Sequence, residues 1–182
     1  MLAGCTSAPP EPAQPGIVDR GRTWALYRGP DLVATVGHAD PLRHLGDGWL
    51  ILAAELQSAT GSPTVARDAI SARTPDGRTL PLITQARFRE GYGLRRTRVE
   101  RALADLPRVL RLDDLQRPCD RWFLAGPFEG FAVDRVYLSA FSVCAGVLVF
   151  EVPGGVQPGT WRLVVELPES RADILFTLGE DR

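Results

Sequence analysis

The chain has 182 residues, 45% hydrophobic and 24% charged, with a net charge of −1. That is the size of one ordinary domain with enough apolar residues for a core, which excludes wholesale disorder. The charge balance lacks the basic excess of a typical nucleic-acid binder, and no stretch approaches the roughly 18 apolar residues of a membrane-spanning helix.

The chain opens Met1-Leu2-Ala3-Gly4-Cys5, followed by Thr6-Ser7-Ala8-Pro9-Pro10-Glu11-Pro12-Ala13-Gln14-Pro15-Gly16. Leu2-Ala3-Gly4-Cys5 resembles the lipobox of bacterial lipoproteins. The Pro-rich run after it is stiff and solvated, and suits a tether. The resemblance implies that Cys5 carries the lipid, with residues 1–5 the remnant of a signal segment and 6–21 the tether. Four residues before the Cys are too few for a signal peptide, which needs a basic region and an apolar stretch of about 7–15 residues, so the expected precursor starts upstream of Met1. Thr6 stands where lipoproteins retained in an inner membrane usually carry Asp. In a two-membrane organism the resemblance therefore implies the outer membrane, facing the periplasm.

With Cys5 assigned, Cys119 and Cys144 remain of the three cysteines. An exported compartment permits them to form a disulfide; two separate buried thiols are the alternative.

From residue 22 to 179 the pattern is mainly that of short strands. Trp24-Ala25-Leu26-Tyr27 and Leu32-Val33-Ala34-Thr35-Val36 are apolar runs separated by Gly29-Pro30. Residues 37–48 read as a loop. Trp49 to Leu56 suits a buried strand, although a helix shares that pattern. Val65 to Ile83 reads as a hairpin: Ile70 and Ala72, then Leu80 and Leu82, alternate about Thr74-Pro75-Asp76-Gly77-Arg78, with the turn at Pro-Asp-Gly.

Leu94, Val99, Ala102, Leu103 and Leu106 approximate a helical stripe. Thr97-Arg98-Val99-Glu100 matches a capping box, and Pro107 is a stop, so one short helix is expected near 97–106. Beyond it, Trp122-Phe123-Leu124, Val136–Phe141, Val147–Val152, Trp161–Leu167 and Ile174–Leu178 read as strands, bounded by Gln157-Pro158-Gly159 and Pro168-Glu169-Ser170. Eight to nine short strands at regular spacing predict a mainly all-β fold, an antiparallel β-sandwich. Gly146–Pro153 followed by Trp161-Arg162-Leu163-Val164-Val165 resembles the closing strands of immunoglobulin-like domains found in bacterial lipoproteins. That resemblance implies an exported sandwich without a known catalytic centre.

Chemical motifs are sparse. His38 and His44 with Asp40 and Asp47 form a loop cluster whose spacing matches no standard metal site, so no metal is expected there. Ser139 and Ser142 lie in an apolar run without a Gly-x-Ser-x-Gly elbow. Asp113-Asp114 are adjacent, and neighbouring strand residues point to opposite faces, so a turn or cap is the better reading than an acid–base pair. Phosphate loops and dinucleotide fingerprints are absent from the sequence, so no cofactor is expected.

Charge placement is more distinctive. Residues 87–117 hold nine Arg (Arg87, Arg89, Arg95, Arg96, Arg98, Arg101, Arg108, Arg111 and Arg117) against five acids, a local +4 that leaves −5 elsewhere. Arg95, Arg96, Arg98 and Arg101 form a candidate surface for an anionic partner, an envelope protein or a headgroup. The alternative is a solvated helix face whose Arg stems cover the sheet. Two function classes follow: a lipid-anchored binding or structural module of the cell envelope, with no nucleic-acid partner, or an exported enzyme whose site residues are not contiguous.

Overall fold

Strands of β-favouring residues make up 49% of the computed structural model, which describes residues 16–20, 23–38, 45–105, 117–119, 121–127 and 130–179. In chain order the strands are β1 (Ile17–Arg20), β2 (Trp24–Arg28), β3 (Leu32–Gly37), β4 (Trp49–Ser58), β5 (Thr64–Ala66), β6 (Ile70–Arg73) and β7 (Thr79–Pro81). The helix α1 (Gln85–Ala104) follows, then β8 (Arg117–Pro118), β9 (Arg135–Tyr137), β10 (Ser142–Glu151), β11 (Gly159–Glu166) and β12 (Arg171–Leu178). Among the described residues the fold is mainly β, with several antiparallel sheets and one inserted α-helix, and it fits a sandwich.

One sheet runs β1-β2-β3-β4-β10-β8 and the other β12-β11-β6-β7, with β5 and β9 paired separately. The β8–β10 pair is parallel, a departure from the all-antiparallel expectation. The successive strands β10 and β11, whose sequences resemble closing immunoglobulin-like strands, lie in opposite sheets.

Register decides the core. Leu50 faces Phe150, Leu52 faces Leu148, Ala54 faces Gly146 and Leu56 faces Cys144, so the even-numbered β4 positions share one face with their partners. Val36 and Ala34 extend that row through β3, and Ala25 and Tyr27 through β2. Trp161, Leu163 and Val165 on β11 and Ile174, Phe176 and Leu178 on β12 alternate inward from the second sheet. All but Gly146 belong to one buried cluster. Trp49, Ile51 and Ala53 are also buried, on the other face of β4, because α1 packs there. β4 is therefore apolar on both faces, which is why its sequence shows no alternation.

The helix is longer than its expected span of 97–106. It begins at Gln85, and Thr84, not Thr97, is its N-cap, its side chain accepting from the Arg87 amide. The buried stripe is Phe88, Gly91, Tyr92, Val99 and Ala102, and Leu94 is 89% exposed. The hairpin expected over 65–83 forms only in its inner part, with Ser71 opposite Pro81 and Arg73 opposite Thr79, because Thr64–Ala66 pairs with β9 instead. Gly77 has φ +88° in its turn, a conformation that glycine adopts without strain.

The folded region also begins ahead of residue 22. Ile17–Arg20, expected to be tether, pairs antiparallel with β2, and Gly16 lies against the Tyr27 ring, where a Cβ would come within 2.2 Å. Gly29 meets the same ring from the following hairpin.

Cys119 and Cys144 are joined as a disulfide, with Cα atoms 4.6 Å apart. It staples β8, a two-residue edge strand, to β10, and Cys144 is fully buried.

Candidate functional site

An open depression lies where β4 begins and β10 ends. It has a volume of about 520 Å³ and is lined by Gly46, Gly48, Trp49, Arg87, Arg95, Glu151 and the 152–155 turn. The Asp47 carboxylate accepts from the Trp49 amide at 2.8 Å and so orients the entry into β4. Gly155 sits so close to Gly46 that a Cβ would lie 2.9 Å from its carbonyl oxygen, which presses the two turns together. Backbone bonds from Gly46 to Val156 and from Val156 to Asp47 hold that contact.

Two arginines of α1, Arg87 and Arg95, line this depression, and a third, Arg98, lies in the same helix. The Arg95 guanidinium lies 4.0 Å from the Trp49 ring centroid, a cation–π arrangement. Arg87 donates through Nε and Nη2 to Glu151 Oε1 at 2.7 and 2.5 Å, and through Nη1 to Glu90 Oε2 at 3.0 Å. Arg98 pairs with Asp47. The hydrogen bond from Arg87 lowers the Glu151 carboxyl below its ordinary value, and the Glu151 bond in turn raises Arg87.

The four arginines read from the sequence as an anionic-partner surface thus divide. Arg95 and Arg98 turn toward the sheet and cover Trp49 and Asp47. Arg96 and Arg101 stay exposed, and Arg96 pairs with Glu100 one turn on. At 100° per residue Arg95 falls within the buried stripe, whereas Arg96 and Arg101 lie outside it.

A second groove, of about 230 Å³, runs between the end of α1 and the edge of β10, lined by Leu103, Cys119, Arg121, Trp122, Phe131 and Val147 among others. Trp122 closes its floor, donating from Nε1 to the Val147 carbonyl at 2.8 Å, and Gly146 leaves room for the ring.

The remaining sequence candidates fall apart spatially or outside the described residues. His38 is buried, with its ring stacked on Phe176 at 5.5 Å between centroids. His44, Asp40, Asp113, Asp114, Arg108, Arg111 and Cys5 lie outside the described residues. Asp47 serves the β4 entry and Arg98. Ser139 and Ser142 hydroxyls are 2.8 Å apart and bridge the turn into β10. Among the described residues, no group of three or more His, Cys, Asp or Glu side chains is arranged to hold a metal.

Sequence reading missed Trp49 and Glu151 as lining of the depression. They are opposite one another in the β4–β10 register, a pairing with no local signal. It also missed Arg67, 13% exposed at its side chain, which donates to the Ile83, Phe123 and Val133 carbonyls and to Asp134.

Comparison with protein-family models, curated proteins and solved structures finds no match to this chain.

Proposed function

We propose that the chain is a lipid-anchored module of the bacterial cell envelope, held to the membrane through Cys5, whose sandwich binds or braces a partner rather than carrying out chemistry. The observation that carries this reading is Leu2-Ala3-Gly4-Cys5 directly followed by a Pro-rich stretch and then a folded domain. The Cys119–Cys144 disulfide supports it, because disulfides persist in oxidising compartments such as the periplasm and cell surface. One acyl chain anchors only marginally, so the reading requires the multiple chains that lipoproteins carry. With Thr6 after the cysteine, the anchor sits in the outer membrane of a two-membrane cell and the domain faces the periplasm.

The test is expression from the native locus with a C-terminal tag, with palmitate labelling and membrane fractionation of wild type and Cys5→Ser. The wild type is labelled and sediments with membranes, and Cys5→Ser is unlabelled and soluble. If both forms fractionate alike, Cys5 is not the anchor.

A further inference from the structure

The register of the six-stranded sheet determines which end of the domain the N-terminal segment enters. Ile17 pairs with Arg28, Arg28 with Val33, Leu32 with Ser58, and Leu56 with Cys144. The start of β1, the end of β2, the start of β3, the end of β4 and the start of β10 therefore share one pole of the sandwich. The Leu167–Ser170 turn of the second sheet is at the same pole, since Leu167, Ser170 and Arg171 line a crevice with Tyr27, Pro30 and Asp31. Gly16 is pinned there against Tyr27.

That pole carries two of the four large apolar side chains that are exposed among the described residues. Phe141, 82% exposed, lies in the turn that opens β10, where the Gln57 side chain holds the Ala140 carbonyl. Tyr137, 72% exposed, pairs with Thr64 at the neighbouring rung and shares a face of β9 with the exposed Arg135. Aromatic side chains beside a guanidinium suit the headgroup layer of a bilayer, where a ring inserts and a polar tip stays wet. Arg28 and Arg135 at this pole are balanced by Asp31 and Glu169, so the favoured surface is zwitterionic rather than anionic.

We propose that this pole, through Phe141 and Tyr137, rests on the headgroup layer of a phospholipid membrane, so that the domain docks on the bilayer rather than standing off it. The inference rests on the reading of Cys5 as the anchor. The tether's point of entry selects the occupant: a chain anchored ahead of Gly16 holds this end nearest the lipid, at high effective concentration. The part of the helix that carries Arg87 and Arg95 is thereby turned away. Arg95 covers Trp49, which lies about 30 Å along β4 from Ser58.

The test separates docking from lipidation. With Cys119 and Cys144 joined, Cys5 is the third cysteine, and the full chain is coupled through it to a maleimide-headgroup lipid in phosphatidylcholine vesicles bearing brominated acyl chains. Attachment then holds whether or not a cell lipidates Cys5. Tryptophan emission is compared for wild type, Phe141→Trp, Tyr137→Trp and Leu94→Trp, the last placing a probe beside Arg95. Bromine is expected to quench most of the emission added at 141 and 137 and to leave that at 94 intact. Unquenched probes at 141 and 137, or equal or stronger quenching at 94, overturn the proposal. Failure of the Cys5→Ser fractionation instead overturns the anchor itself.

Discussion

Arg67 lies at the junction between β5 and β6, and its replacement should destabilise the fold markedly. Its guanidinium donates to Ile83 O at 3.1 Å, Phe123 O at 2.5 Å and Val133 O at 3.1 Å, as well as to Asp134 at 2.9 Å. One side chain thus joins the end of the β6–β7 hairpin to both arms of the 121–134 segment. Arg67→Ala leaves three carbonyls without that donor, each costing about 1–3 kcal/mol where water cannot enter. Partial hydration of the Val133 end reduces the sum, and the expected loss is about 3–5 kcal/mol. For a domain of this size that lowers the melting temperature by roughly 8–15 °C. The Asp134 arm contributes little, because its carboxylate is 90% exposed, so Asp134→Ala should cost under about 1 kcal/mol. Urea unfolding followed by fluorescence measures both, with an unchanged slope showing that the folded ensembles are comparable. An Arg67→Ala loss within 1 kcal/mol of the Asp134→Ala loss would refute the assignment of the energy to the carbonyls.

Three further outcomes are expected. Reducing Cys119–Cys144, which spans 25 residues, should lower stability by about 3 kcal/mol in the chain-entropy model; equal urea midpoints with and without dithiothreitol would contradict this. Gly91→Ala should destabilise by about 1–3 kcal/mol, since its Cβ would lie 2.3 Å from the Trp49 ring, over which the Arg95 guanidinium also lies. Gly93→Ala, two residues on and facing open space, should instead stabilise by up to about 1 kcal/mol through helix propensity, and the same sign for both would be inconsistent with the packing described. Because Arg87 lowers the Glu151 carboxyl in the folded state, that pair stabilises fully above the unfolded carboxyl value and the benefit is lost as pH falls through the folded one. Stability measured from about pH 6 to pH 3 should therefore fall more steeply in wild type than in Glu151→Gln, and parallel curves would exclude the linkage.

What could be read from the sequence follows from how local each determinant is. β11 and β12 were legible because each buries one face: Trp161, Leu163 and Val165 inward against Arg162 and Glu166 leaves a period of two. The Thr74–Arg78 turn was legible because its chemistry lies within five residues. The start of α1 was not. Gln85–Ala104 has a polar composition with only five buried positions, two of them Gly91 and Tyr92, and the glycine reads as a breaker although it is there to admit Trp49. Thr97-Arg98-Val99-Glu100 satisfies the capping pattern inside a helix already running, so the same four residues mark a boundary only when no turn precedes them. β1 was hidden by the Pro-rich segment beside it, since four residues on an edge strand need only one partner to form.

The arginines show the same limit at the level of charge. A count over residues 87–117 gives a basic surface, but the acids that meet it come from elsewhere in the chain: Glu151 from the end of β10 and Asp47 from the approach to β4. Sequence distance conceals those pairs, 64 residues apart for Arg87–Glu151 and 51 for Arg98–Asp47. Local net charge therefore overstates what this helix offers an anionic partner. The pole that carries Phe141 and Tyr137 is the converse case. Val136–Phe141 read as an ordinary strand segment, and only the register of five strands, traced from Ile17 to Ser142, places its two exposed rings at the end where the N-terminal segment arrives. An interaction surface of this kind is built from loop tips of unrelated strands, so it leaves no motif in any one of them.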